Sequence, residues 1–583
     1  MTYSSDNLSI LYQRYKNNSL VYLLIALCLS LIFCLLILAA VPPVSRDALT
    51  HHLFVPRLYL EHGGIYEIPN IPFSYYPMNL DLLYMIPLYF GNDILPKYIH
   101  FAFALATAGL IYNYLKTRLT KNYGLLGALF FLSIPIIVKL SITVYVDLGL
   151  MFFTTASILL LFRWLDSGYK IKFLLMAGVF LGLAAGTKYN GLISLFLLPL
   201  FVPVLYLRTH PDTQKNNLKS IGAATIFLSA ALIIFSPWLI RNYAWTGNPI
   251  YPLHNALFQR IKKSSTTKNG AALENHSRGM QKIQKISLLG KLKNLSGNSS
   301  IFTTRKILYH ETWWQALLLP VRFFFQGQDD NPQYFDGKLN PFLFLLPFFA
   351  FLKKSGSRLQ GEKFTLLAFA LLFFFFTFFQ EAMRIRYMVT IVPALVLLSM
   401  VGLHNISEAL SCNRFFPNGK TKKLFILVIV TAMLGYNGQY IRQQFNTIQP
   451  ISYIQGKISR DQYITKFRPE YPVIQYANNH IGSNAKVLCL FLGNRGYYMH
   501  FKPIFRRPAH TIFFEESMNG NDAQAIKNEL IRRGINHILL RNDLTDNWFQ
   551  HLGHEKKKRI LAFFQQDTIQ AYSRDGYTLY NLR

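Results

Sequence analysis

The chain has 583 residues, 51% of them hydrophobic, 15% aromatic and only 15% charged, with a formal net charge of +32. Its apolar residues are gathered in blocks of about 18 to 22, long enough to cross a hydrocarbon core of about 30 Å, which is typical of an integral membrane protein. The basic residues are spread among these blocks without a recognition motif, which argues against nucleic acid as a partner and favours membrane lipids and anionic substrates.

Hydropathy predicts about eleven membrane spans, with an error of one or two. They lie approximately at residues 20–41, 97–115, 123–140, 148–164, 172–187, 190–207, 219–240, 340–352, 364–380, 387–403 and 423–440. The first is too long for the core of a signal peptide and is followed by no small-residue cleavage motif, so we expect it to stay as an anchor. The predicted fold class is an all-α polytopic membrane protein.

Charged and polar residues follow the first span at once. These are Arg46, Asp47, His51 and His52. At the edge of a bilayer a charge stays ionised and still meets a substrate whose tail remains in lipid. The next segments, 52–61 and 75–81, predict interfacial helices, and they carry Arg57 and Asp81 as candidate substrate contacts.

Charged and polar residues recur along the chain at span ends that lie on the same predicted side of the membrane. The further candidates are Asp147 before the fourth span, Lys188 and Tyr189 between the fifth and sixth, Arg241 at the end of the seventh, and Arg384 and Arg386 before the tenth. Arg and Lys are suited to hold a phosphate, and a carboxylate can take the proton from an attacking hydroxyl or amine. Since two residues so close cannot both point inward from one helix face, we expect one of Arg384 and Arg386 to be structural.

Each candidate also has a structural interpretation. Asp47 and Asp147 could cap the helices that follow them, since Asp is a favoured N-cap. Lys188 could extend from a helix end toward the interface, and Arg241 could be an interfacial anchor.

Every second connection is short and basic, which places these loops and the N-terminus in the cytosol. The loops 42–96 and 241–339 then face the periplasm or an equivalent lumen. The membrane domain covers residues 1–440, and the tail 441–583 lies outside.

The tail predicts a small α/β domain. Residues 486–491 and 538–540 have the apolar pattern of short buried strands, and residues 523–533 have helical spacing that ends at Gly534. The turn at 493–498 lacks a full dinucleotide-binding pattern, so we expect a tight turn there.

No metal or cofactor is predicted, although a divalent metal is not excluded. Adjacent histidines on a helix point apart, which disfavours His51 and His52 as joint ligands with Asp47. The four cysteines show neither the spacing of a metal site nor a disulfide framework.

The chain resembles the GT-C superfamily of integral-membrane glycosyltransferases over approximately residues 20–405. It is most similar to the branch of the protein O-mannosyltransferases and the lipid A aminoarabinose transferase. The resemblance rests on three stretches: residues 47–53, residues 186–189, and residues 237–242 followed by 246–249.

The resemblance implies roles for four residues. The first-loop acid of the family is the catalytic base, which falls on Asp47, and the phosphate-binding lysine falls on Lys188. The arginine before a late span falls on Arg384 or Arg386. Protein mannosyltransferases show Asp-Glu in the first loop whereas this chain has Asp47-Ala48, which argues against a protein acceptor.

We therefore expect an inverting hexosyl or pentosyl transfer from a polyprenyl-phosphate donor to a lipid, glycan or protein acceptor at the outer face of a bacterial inner membrane, contributing to a cell-envelope glycan. The phosphate would meet Lys188, Arg241, Arg384 and Arg386. The catalytic carboxylates would be Asp47 and Asp147. The residues in contact with substrate would be His51, His52, Arg57, Tyr189 and Asp81.

Two alternatives remain. The first is an O-antigen-ligase-type transferase of a diphosphate-linked glycan, which needs Arg and His in a large outer loop; the loop 241–339 holds His254, His276, Arg278 and His310. The second is a transporter of lipid-linked glycans, which predicts inverted repeats and charges in mid-span. The sequence gives no indication of the oligomeric state.

Overall fold

The computed structural model describes residues 5–210, 213–266, 301–353, 356–378, 383–412, 419–505 and 524–583. Helices make up the described chain as far as Ile448, and a five-stranded sheet with flanking helices follows. This confirms the predicted fold class of a helical membrane part and a small α/β tail. His276 and Arg278, which the ligase alternative uses, lie outside the described residues.

The helices before the tail are, in chain order, α1 (Ser5–Ala39), α2 (Phe54–His62), α3 (Asn79–Tyr89), α4 (Leu95–Arg118), α5 (Lys121–Ser133), α6 (Pro135–Ser141), α7 (Asp147–Asp166), α8 (Ile171–Ala185), α9 (Gly191–Leu207), α10 (Gln214–Thr246), α11 (Asn255–Thr266), α12 (Ile301–Tyr309), α13 (Trp313–Leu317), α14 (Leu319–Phe325), α15 (Phe342–Phe349), α16 (Ser357–Phe378), α17 (Val392–Cys412) and α18 (Gly419–Ile448). One π-helical turn, Ala48–His52, and three 3₁₀ turns, Pro72–Tyr75, Pro332–Tyr334 and Ile385–Ile391, lie between them.

Six helical segments of the described chain are long and apolar enough to cross a membrane. They are Ser19–Ala39, Asp147–Asp166, Gln214–Thr246, Arg358–Phe378, Ile385–Leu410 and Thr421–Ile448. Each coincides with a predicted span, and only residues 379–380 of the predicted span 364–380 lie outside the described residues. A helix suits a membrane span because it satisfies its own backbone hydrogen bonds.

The other predicted spans are also helical but differ in form. The predicted span 123–140 is broken into α5 and α6, which meet at a bend of 66°. Pro135 causes the break, because proline lacks an N–H and drives the residue before it out of the helical region; Ile134 has ψ 131°. Counting this bent pair as one span raises the number from six to seven. The predicted span 340–352 contains only the eight-residue helix α15.

Helix packing depends on small residues where backbones approach closely. A Cβ at Gly178 would lie 2.6 Å from the carbonyl oxygen of Phe227, and one at Gly182 would lie 2.4 Å from that of Ala231. These glycines therefore let α8 lie directly against α10, as small residues do between membrane helices.

Of the two segments predicted as helices after the first span, 52–61 corresponds to α2, whereas 75–81 contains only the end of a 3₁₀ turn and the start of α3 at Asn79, with residues 76–78 outside any helix. Asn79 ties α3 to the end of α8, since its N–H donates to the carbonyl of Gly186 at 3.0 Å. The Tyr84 hydroxyl donates to the carbonyl of Tyr145, just before α7. The start of α3 therefore lies against the edge residues of α7 and α8.

The tail begins with three helices and then forms the sheet. Its helices are α19 (Pro450–Ile454), α20 (Arg460–Phe467), α21 (Tyr471–His480), α22 (Gln524–Arg532), α23 (Asn542–Gln550) and α24 (His554–Gln566). Its strands are β1 (Lys486–Leu490), β2 (Lys502–Phe505), β3 (Ile535–Arg541), β4 (Thr568–Arg574) and β5 (Tyr577–Leu582), in the spatial order β2-β1-β3-β5-β4. β1 is parallel to β2 and β3, whereas β5 is antiparallel to β3 and β4.

Both faces of this sheet are covered. Leu488 packs with Ile526 of α22 in one buried cluster, and Val487 packs with Val473 of α21 in another. Alternate residues of a strand face opposite sides, which is why β1 is apolar throughout. The predicted strands at 486–491 and 538–540 and the helix ending at Gly534 (φ +70°) are thereby confirmed.

Candidate active site

The segment that carries Asp47 is irregular and held from several sides. Helix α1 ends at Ala39, and the Lys97 ammonium donates to the carbonyl of Val41 at 2.7 Å, where a cation suits the carboxyl end of a helix. Asp47 stands directly before the π-helical turn Ala48–His52. Among the described contacts, its side chain makes no N-cap hydrogen bond to that turn. The carboxylate of Asp47 is therefore available for another partner.

That partner is Arg386. The Arg386 guanidinium donates to Oδ2 of Asp47 at 2.5 Å, and it lies over the ring of Tyr145 at 4.9 Å. Burial by itself would raise the pKa of Asp47, but the opposing charge of Arg386 outweighs it and holds that pKa well below its usual range. Asp47 is therefore ionised at neutral pH.

A second ion pair joins Lys188 to Asp147. The Lys188 ammonium donates to Oδ1 of Asp147 at 2.5 Å, and the Asp147 side chain is only 2% exposed. Oδ2 of Asp147 is buried with no hydrogen-bond partner in the part of the chain that the structure describes. Because the pair is so deeply buried, each charge needs the other to remain there.

Backbone contacts fix both partners of this pair. His100 is buried, and its Nε2 accepts the N–H of Leu148 at 3.0 Å, while its Nδ1 lies 2.9 Å from the carbonyl oxygen of Leu140. The turn that leads into α7 and Asp147 is therefore pinned to α4. On the other side, Asn79 Nδ2 donates to the carbonyl of Leu183 at the end of α8, five residues before Lys188.

The two ion pairs belong to one cluster. The ring of Tyr387 lies 5.3 Å from the Lys188 ammonium and 5.3 Å from the Arg386 guanidinium carbon. The charges of both pairs act on His52, although burial is the main reason that its pKa is lowered to about 3. The structure thus brings Asp47, Asp147, Lys188, Arg386 and His52 together.

The histidine pair differs from the sequence-based expectation. His51 and His52 do not point apart: their ring centroids are 4.0 Å apart. The reason is that they lie on a π-helical turn rather than on an α-helix. Burial lowers the pKa of His51 also to about 3, so both rings are neutral at pH 7.

His52 forms a third buried pair with Asp81, which the sequence analysis named as separate substrate contacts. His52 Nδ1 lies 2.7 Å from Oδ1 of Asp81. Burial raises the pKa of Asp81 to about 8 while it lowers that of His52, so the low-dielectric surroundings favour the neutral form of both groups. Together they hold one shared proton without a net charge.

Next to Asp47 opens a cavity of about 560 Å³. Six cationic side chains line it: Arg46, Lys97, Lys139, Arg384, Arg386 and Arg468. Three carboxylates, those of Asp47, Asp330 and Asp336, also line it, which leaves its wall with a net positive charge. Such a wall favours an anionic ligand.

Both Arg384 and Arg386 line this cavity, contrary to the expectation that one of them points away. Arg384 is in extended conformation and the 3₁₀ turn begins only at Ile385, so the two residues do not share a single α-helical face. Arg384 lies 3.5 Å from Asp336, whereas Arg386 pairs with Asp47.

Sequence analysis missed four of the cavity's cations. Lys139 falls inside the predicted span 123–140 and was not singled out; it lies 3.1 Å from Asp329 and 3.6 Å from both Asp330 and Asp336. Arg46 and Lys97 lay in segments already noted without being assigned a role. Arg468 belongs to the tail, and its sequence surroundings give no signal of a place in this cavity.

Arg241 lies in an aromatic cage beside the cluster. Its guanidinium is 4.5 Å from the ring of Trp238 and 4.8 Å from that of Trp245. Nη2 donates to the carbonyl of Tyr76 and to Asn242, and Asn242 in turn donates to the hydroxyl of Tyr189 at 2.9 Å. Arg241 is thus linked to the residue next to Lys188. Its Nη1 is buried without a hydrogen-bond partner among the described residues.

Arg57, named as a substrate contact, is directed elsewhere. Its terminal nitrogens donate to the backbone carbonyls of Tyr497 and Met499 in the tail, the latter at 2.8 Å. It is not among the described residues that line the cavity. The position of the Arg57 side chain is set by its contacts with the tail, which no local sequence pattern predicts.

Within the described ranges, no group of three or more His, Cys, Asp or Glu side chains is arranged to hold a metal ion. The described residues of the cluster can perform acid–base and electrostatic chemistry. An ionised carboxylate can accept a proton, and clustered cations can bind and stabilise a phosphate.

The family described as dolichyl-phosphate-mannose-protein mannosyltransferase has a sequence model that matches residues 85–240. This stretch contains Asp147 and Lys188 but neither Asp47 nor Arg386. No curated protein sequence matches the chain significantly.

Solved structures extend the likeness to nearly the whole chain. ArnT from Cupriavidus metallidurans in the apo state is 11% identical with a TM-score of 0.56, covering 97% of this chain and 98% of that one. The same protein bound to undecaprenyl phosphate is 12% identical with a TM-score of 0.51, covering 96% and 97%. The archaeal oligosaccharyltransferase AglB from Archaeoglobus fulgidus, in complex with an inhibitory peptide and a dolichol-phosphate, is 14% identical with a TM-score of 0.50, covering 96% and 74%. The expected GT-C fold is therefore confirmed.

Proposed function

We propose that the protein is an integral-membrane glycosyltransferase that moves a sugar from a polyprenyl-phosphate donor to an acceptor, with inversion at the anomeric carbon. The observation that carries this proposal is the ionised Asp47 paired with Arg386 at the wall of a cation-rich cavity. Inverting transfer needs one carboxylate base and positive charge around a leaving phosphate, and both are present.

The reaction follows from these residues. Asp47 takes the proton of the acceptor hydroxyl or amine as that group attacks the anomeric carbon. The bond between the anomeric carbon and the phosphate oxygen breaks, and the lipid phosphate leaves with the bonding electrons. Lys188, Arg384 and Arg386 stabilise its charge, and Arg241 adds a further donor through the unpartnered Nη1. The sugar ends on the acceptor, so no covalent enzyme intermediate is required.

The Asp47–Arg386 pair implies that the donor binds before Asp47 deprotonates the acceptor. With Arg386 at 2.5 Å, Asp47 is ionised but is a weak proton acceptor, because the same contact holds its pKa low. A donor phosphate competes with Asp47 for the guanidinium, since phosphate and carboxylate both match its planar donors. Donor binding therefore makes Asp47 a stronger base when an acceptor can be used.

Asp147 has a different place in the proposal. Its Oδ1 orients the Lys188 ammonium, and its buried Oδ2 is left for a polar group of the substrate. The neutral His51 and the His52–Asp81 pair contact the sugar or the acceptor as hydrogen-bonding groups rather than as charges.

The donor class is supported by the fold relatives. One ArnT structure is described as bound to undecaprenyl phosphate and one AglB structure as containing a dolichol-phosphate. The acceptor is a lipid, a glycan or a protein, and the Asp47-Ala48 sequence favours the first two over a protein.

The proposed topology puts the N-terminus in the cytosol of a bacterial cell and the tail, with the Asp47 cluster, in the periplasm. The predicted cytosolic loops meet in the structure, which supports one shared side. Arg118 after α4 lies 3.0 Å from Asp166 at the end of α7 and 2.5 Å from Glu362 near the start of α16.

Transfer from defined polyprenyl-phosphate sugars by the purified protein in lipid tests this function. We expect turnover by wild type, and Asp47→Asn should lower it by about 10²- to 10⁴-fold because general-base catalysis has that magnitude. Asp543→Asn, which changes an exposed carboxylate of the tail that pairs with Arg541, is the matched control and should retain wild-type turnover.

Two results would contradict the proposal. Equal turnover by wild type and Asp47→Asn would remove Asp47 as the base. Turnover with a diphosphate-linked glycan but with no monophosphate donor would favour the ligase-type function instead.

A further inference from the structure

The tail domain contacts the Asp47 segment on both sides of Asp47. Before it, the Tyr498 hydroxyl donates to the carbonyl of Pro43 at 2.8 Å, and Nε of Arg468 donates to the carbonyl of Val44 at 2.6 Å. After it, the N–H of Tyr497 donates to the carbonyl of Leu49 at 3.1 Å. Tyr497 and Tyr498 belong to residues 493–499, which follow β1 and are called the tail turn below.

Arg57 and Phe54 complete this contact. Arg57 donates to the carbonyls of Tyr497 and Met499, so α2 is bonded to the backbone of the tail turn. Gly496 lies directly against Phe54, because a Cβ at Gly496 would come within 2.4 Å of the Phe54 ring. Only glycine fits at this position of the tail turn.

The tail turn is itself fixed by the tail domain. Arg495 pairs with the buried Glu470 at 2.6 Å, and Nδ2 of Asn478 donates to the carbonyl of Tyr498 at 2.8 Å. Gly493 and Asn494 both have positive φ, +69° and +61°, which closes the turn tightly. The sheet and α21 thus hold the turn in one conformation.

A second connection lies close by. Nη2 of Arg460 in α20 lies 2.6 Å from Oδ2 of Asp93, just before α4. The Asp93 side chain is 7% exposed and that of Arg460 is 42% exposed, so only the carboxylate of this ion pair is shielded from water. The Tyr497 side chain of the tail turn also hydrogen-bonds to Asp93. Asp93 therefore joins both α20 and the tail turn to the segment before α4.

The Asp47 segment has few hydrogen bonds of its own. Pro42 and Pro43 have no N–H, and residues 42–45 after α1 have no regular structure. Its carbonyls at Pro43 and Val44 are bonded instead to the tail. The hydrogen bonds that orient Asp47 toward Arg386 are consequently made in large part by the tail rather than by the membrane helices.

We propose that the tail turn is a positioning element for Asp47, and this inference rests on the proposed function of Asp47 as the base. By bonding Pro43 on one side and Leu49 on the other, Tyr498 and Tyr497 set where the carboxylate stands relative to Arg386 and the acceptor. The donor-phosphate groups Lys188 and Arg384 lie on other segments, and the described tail turn makes no recorded hydrogen bond to them.

This separation predicts a split between kinetic constants. Loosening the tail turn should lower kcat without raising the donor KM, because the base moves while Lys188 and Arg384 keep their places and Arg386 is left freer to bind the phosphate. A misplacement of about 1 Å can cost on the order of 10²-fold in rate. For Tyr498→Phe, which removes one hydrogen bond, we expect a fall in kcat of about tenfold, and for Gly496→Ala a larger one.

The experiment uses the full chain in lipid nanodiscs. It compares wild type, Tyr498→Phe and Gly496→Ala, together with Tyr471→Phe as a matched control. Tyr471 donates its hydroxyl to Asp461 at 2.9 Å within the tail, so this control loses an equivalent bond that does not reach the Asp47 segment. The readouts are kcat, donor KM, and hydrogen exchange of the backbone around residues 43–57.

The expected result is lower kcat, a donor KM that is not raised and faster exchange at residues 43–57 in Tyr498→Phe and Gly496→Ala, with wild-type behaviour in Tyr471→Phe. The added change Phe54→Leu should restore part of the kcat of Gly496→Ala by relieving the contact with the ring.

Two outcomes would overturn the inference. One is wild-type kcat and exchange in both tail-turn variants, and the other is equal losses in Tyr471→Phe, which would mean general destabilisation of the tail. If wild type turns over no donor, the proposed function fails by itself. The exchange of residues 43–57 then still decides whether the tail turn orders that segment.

Discussion

Asp47 and Arg386 lie 339 residues apart in the chain and are joined by a hydrogen bond of 2.5 Å. The contact connects the loop after α1 to the 3₁₀ turn before α17, over the ring of Tyr145 from the turn before α7. Three distant segments therefore meet at one carboxylate. The charge state of Asp47 is set by this meeting, and so its pH dependence can be tested through Arg386.

Removal of the Arg386 guanidinium should shift the acid limb of the pH–activity profile to higher pH. In wild type Arg386 holds the pKa of Asp47 below its usual range, so Asp47 stays ionised as the pH falls. In Arg386→Gln the largest charge that opposes burial is removed, and burial raises the pKa of a carboxyl group. We expect kcat/KM of this variant to fall with decreasing pH between about pH 7 and 5, below the pKa of about 8 of Asp81, whereas that of wild type stays level there.

Arg384→Gln is the control for this prediction, because Arg384 lies near Asp336 rather than Asp47. It should weaken donor binding without changing the shape of the profile. His51 and His52, with pKa values of about 3, do not titrate in this range. Superimposable profiles for Arg386→Gln and wild type would contradict the assignment.

Substitution of only one partner of the Lys188–Asp147 pair should strongly lower the stability of the protein. Lys188→Met leaves the buried Asp147 carboxylate without its cation, and loss of one partner of a buried pair costs about 3–5 kcal/mol. The double variant Lys188→Met/Asp147→Asn removes both charges and should melt at a higher temperature than Lys188→Met alone. Thermal denaturation in detergent measures this.

An exposed lysine provides the comparison. Lys353 pairs with Glu408 with its side chain 64% exposed, so Lys353→Met should change stability by only about 0–1 kcal/mol. A double variant that melts below Lys188→Met would show that the charge on Asp147 is not what destabilises the single variant.

Substitution of Arg241 should affect donor binding more than turnover. Its Nη2 is used by Tyr76 and Asn242, which leaves the buried Nη1 for a ligand. Lysine cannot make the fixed contacts and present a second donor at once. We expect Arg241→Lys to raise the donor KM about tenfold, the loss of one charge-assisted hydrogen bond, with kcat nearly unchanged. A normal KM combined with a lower melting temperature would instead make Arg241 purely structural.

A methyl group at Gly186 should disturb the edge where Lys188 lies. A Cβ at Gly186 would come within 2.4 Å of Nδ2 of Asn79. The Oδ1 atom of the same Asn79 side chain accepts a hydrogen bond from Trp238. Gly186→Ala should therefore lower the melting temperature and turnover. Gly222→Ala, in α10 with open space around its Cβ, should be neutral or stabilising by about 0.5–1 kcal/mol. Equal melting temperatures for the two variants would contradict this reading of Asn79.

Sequence patterns were sufficient for the helices and for the residues at their ends. Apolar runs locate the spans, and charged residues that interrupt them at one edge include both ion pairs of the cluster. The break at Pro135 was also readable, since proline ends a helix at the residue before it. It was missed because hydropathy does not distinguish a bent span from a straight one.

The pairing within the cluster could not be predicted in the same way. The sequence predicts Asp47 as the catalytic base, with helix capping as the structural alternative, and nothing local connects it to Arg386 rather than Arg384. The contact between the His51 and His52 rings depends on a π-helical turn, which has no sequence signature here. Arg468 and Arg57 acquire their positions only through the packing of the tail, so their roles follow from tertiary structure alone.

The contact between Arg57 and Tyr497 spans 440 residues, and this has a consequence for biosynthesis. A chain emerging from the ribosome makes the Asp47 segment near the beginning, but Arg386 and the tail turn are made much later. Until residue 498 has been translated, the segment lacks the tail-turn contacts that bond Pro43 and Leu49, and until residue 468 it also lacks the contact to Val44. The nascent membrane part therefore carries its carboxylate unpositioned, and a chain that stops after α17 would contain Arg386 and yet lack the contacts from the tail.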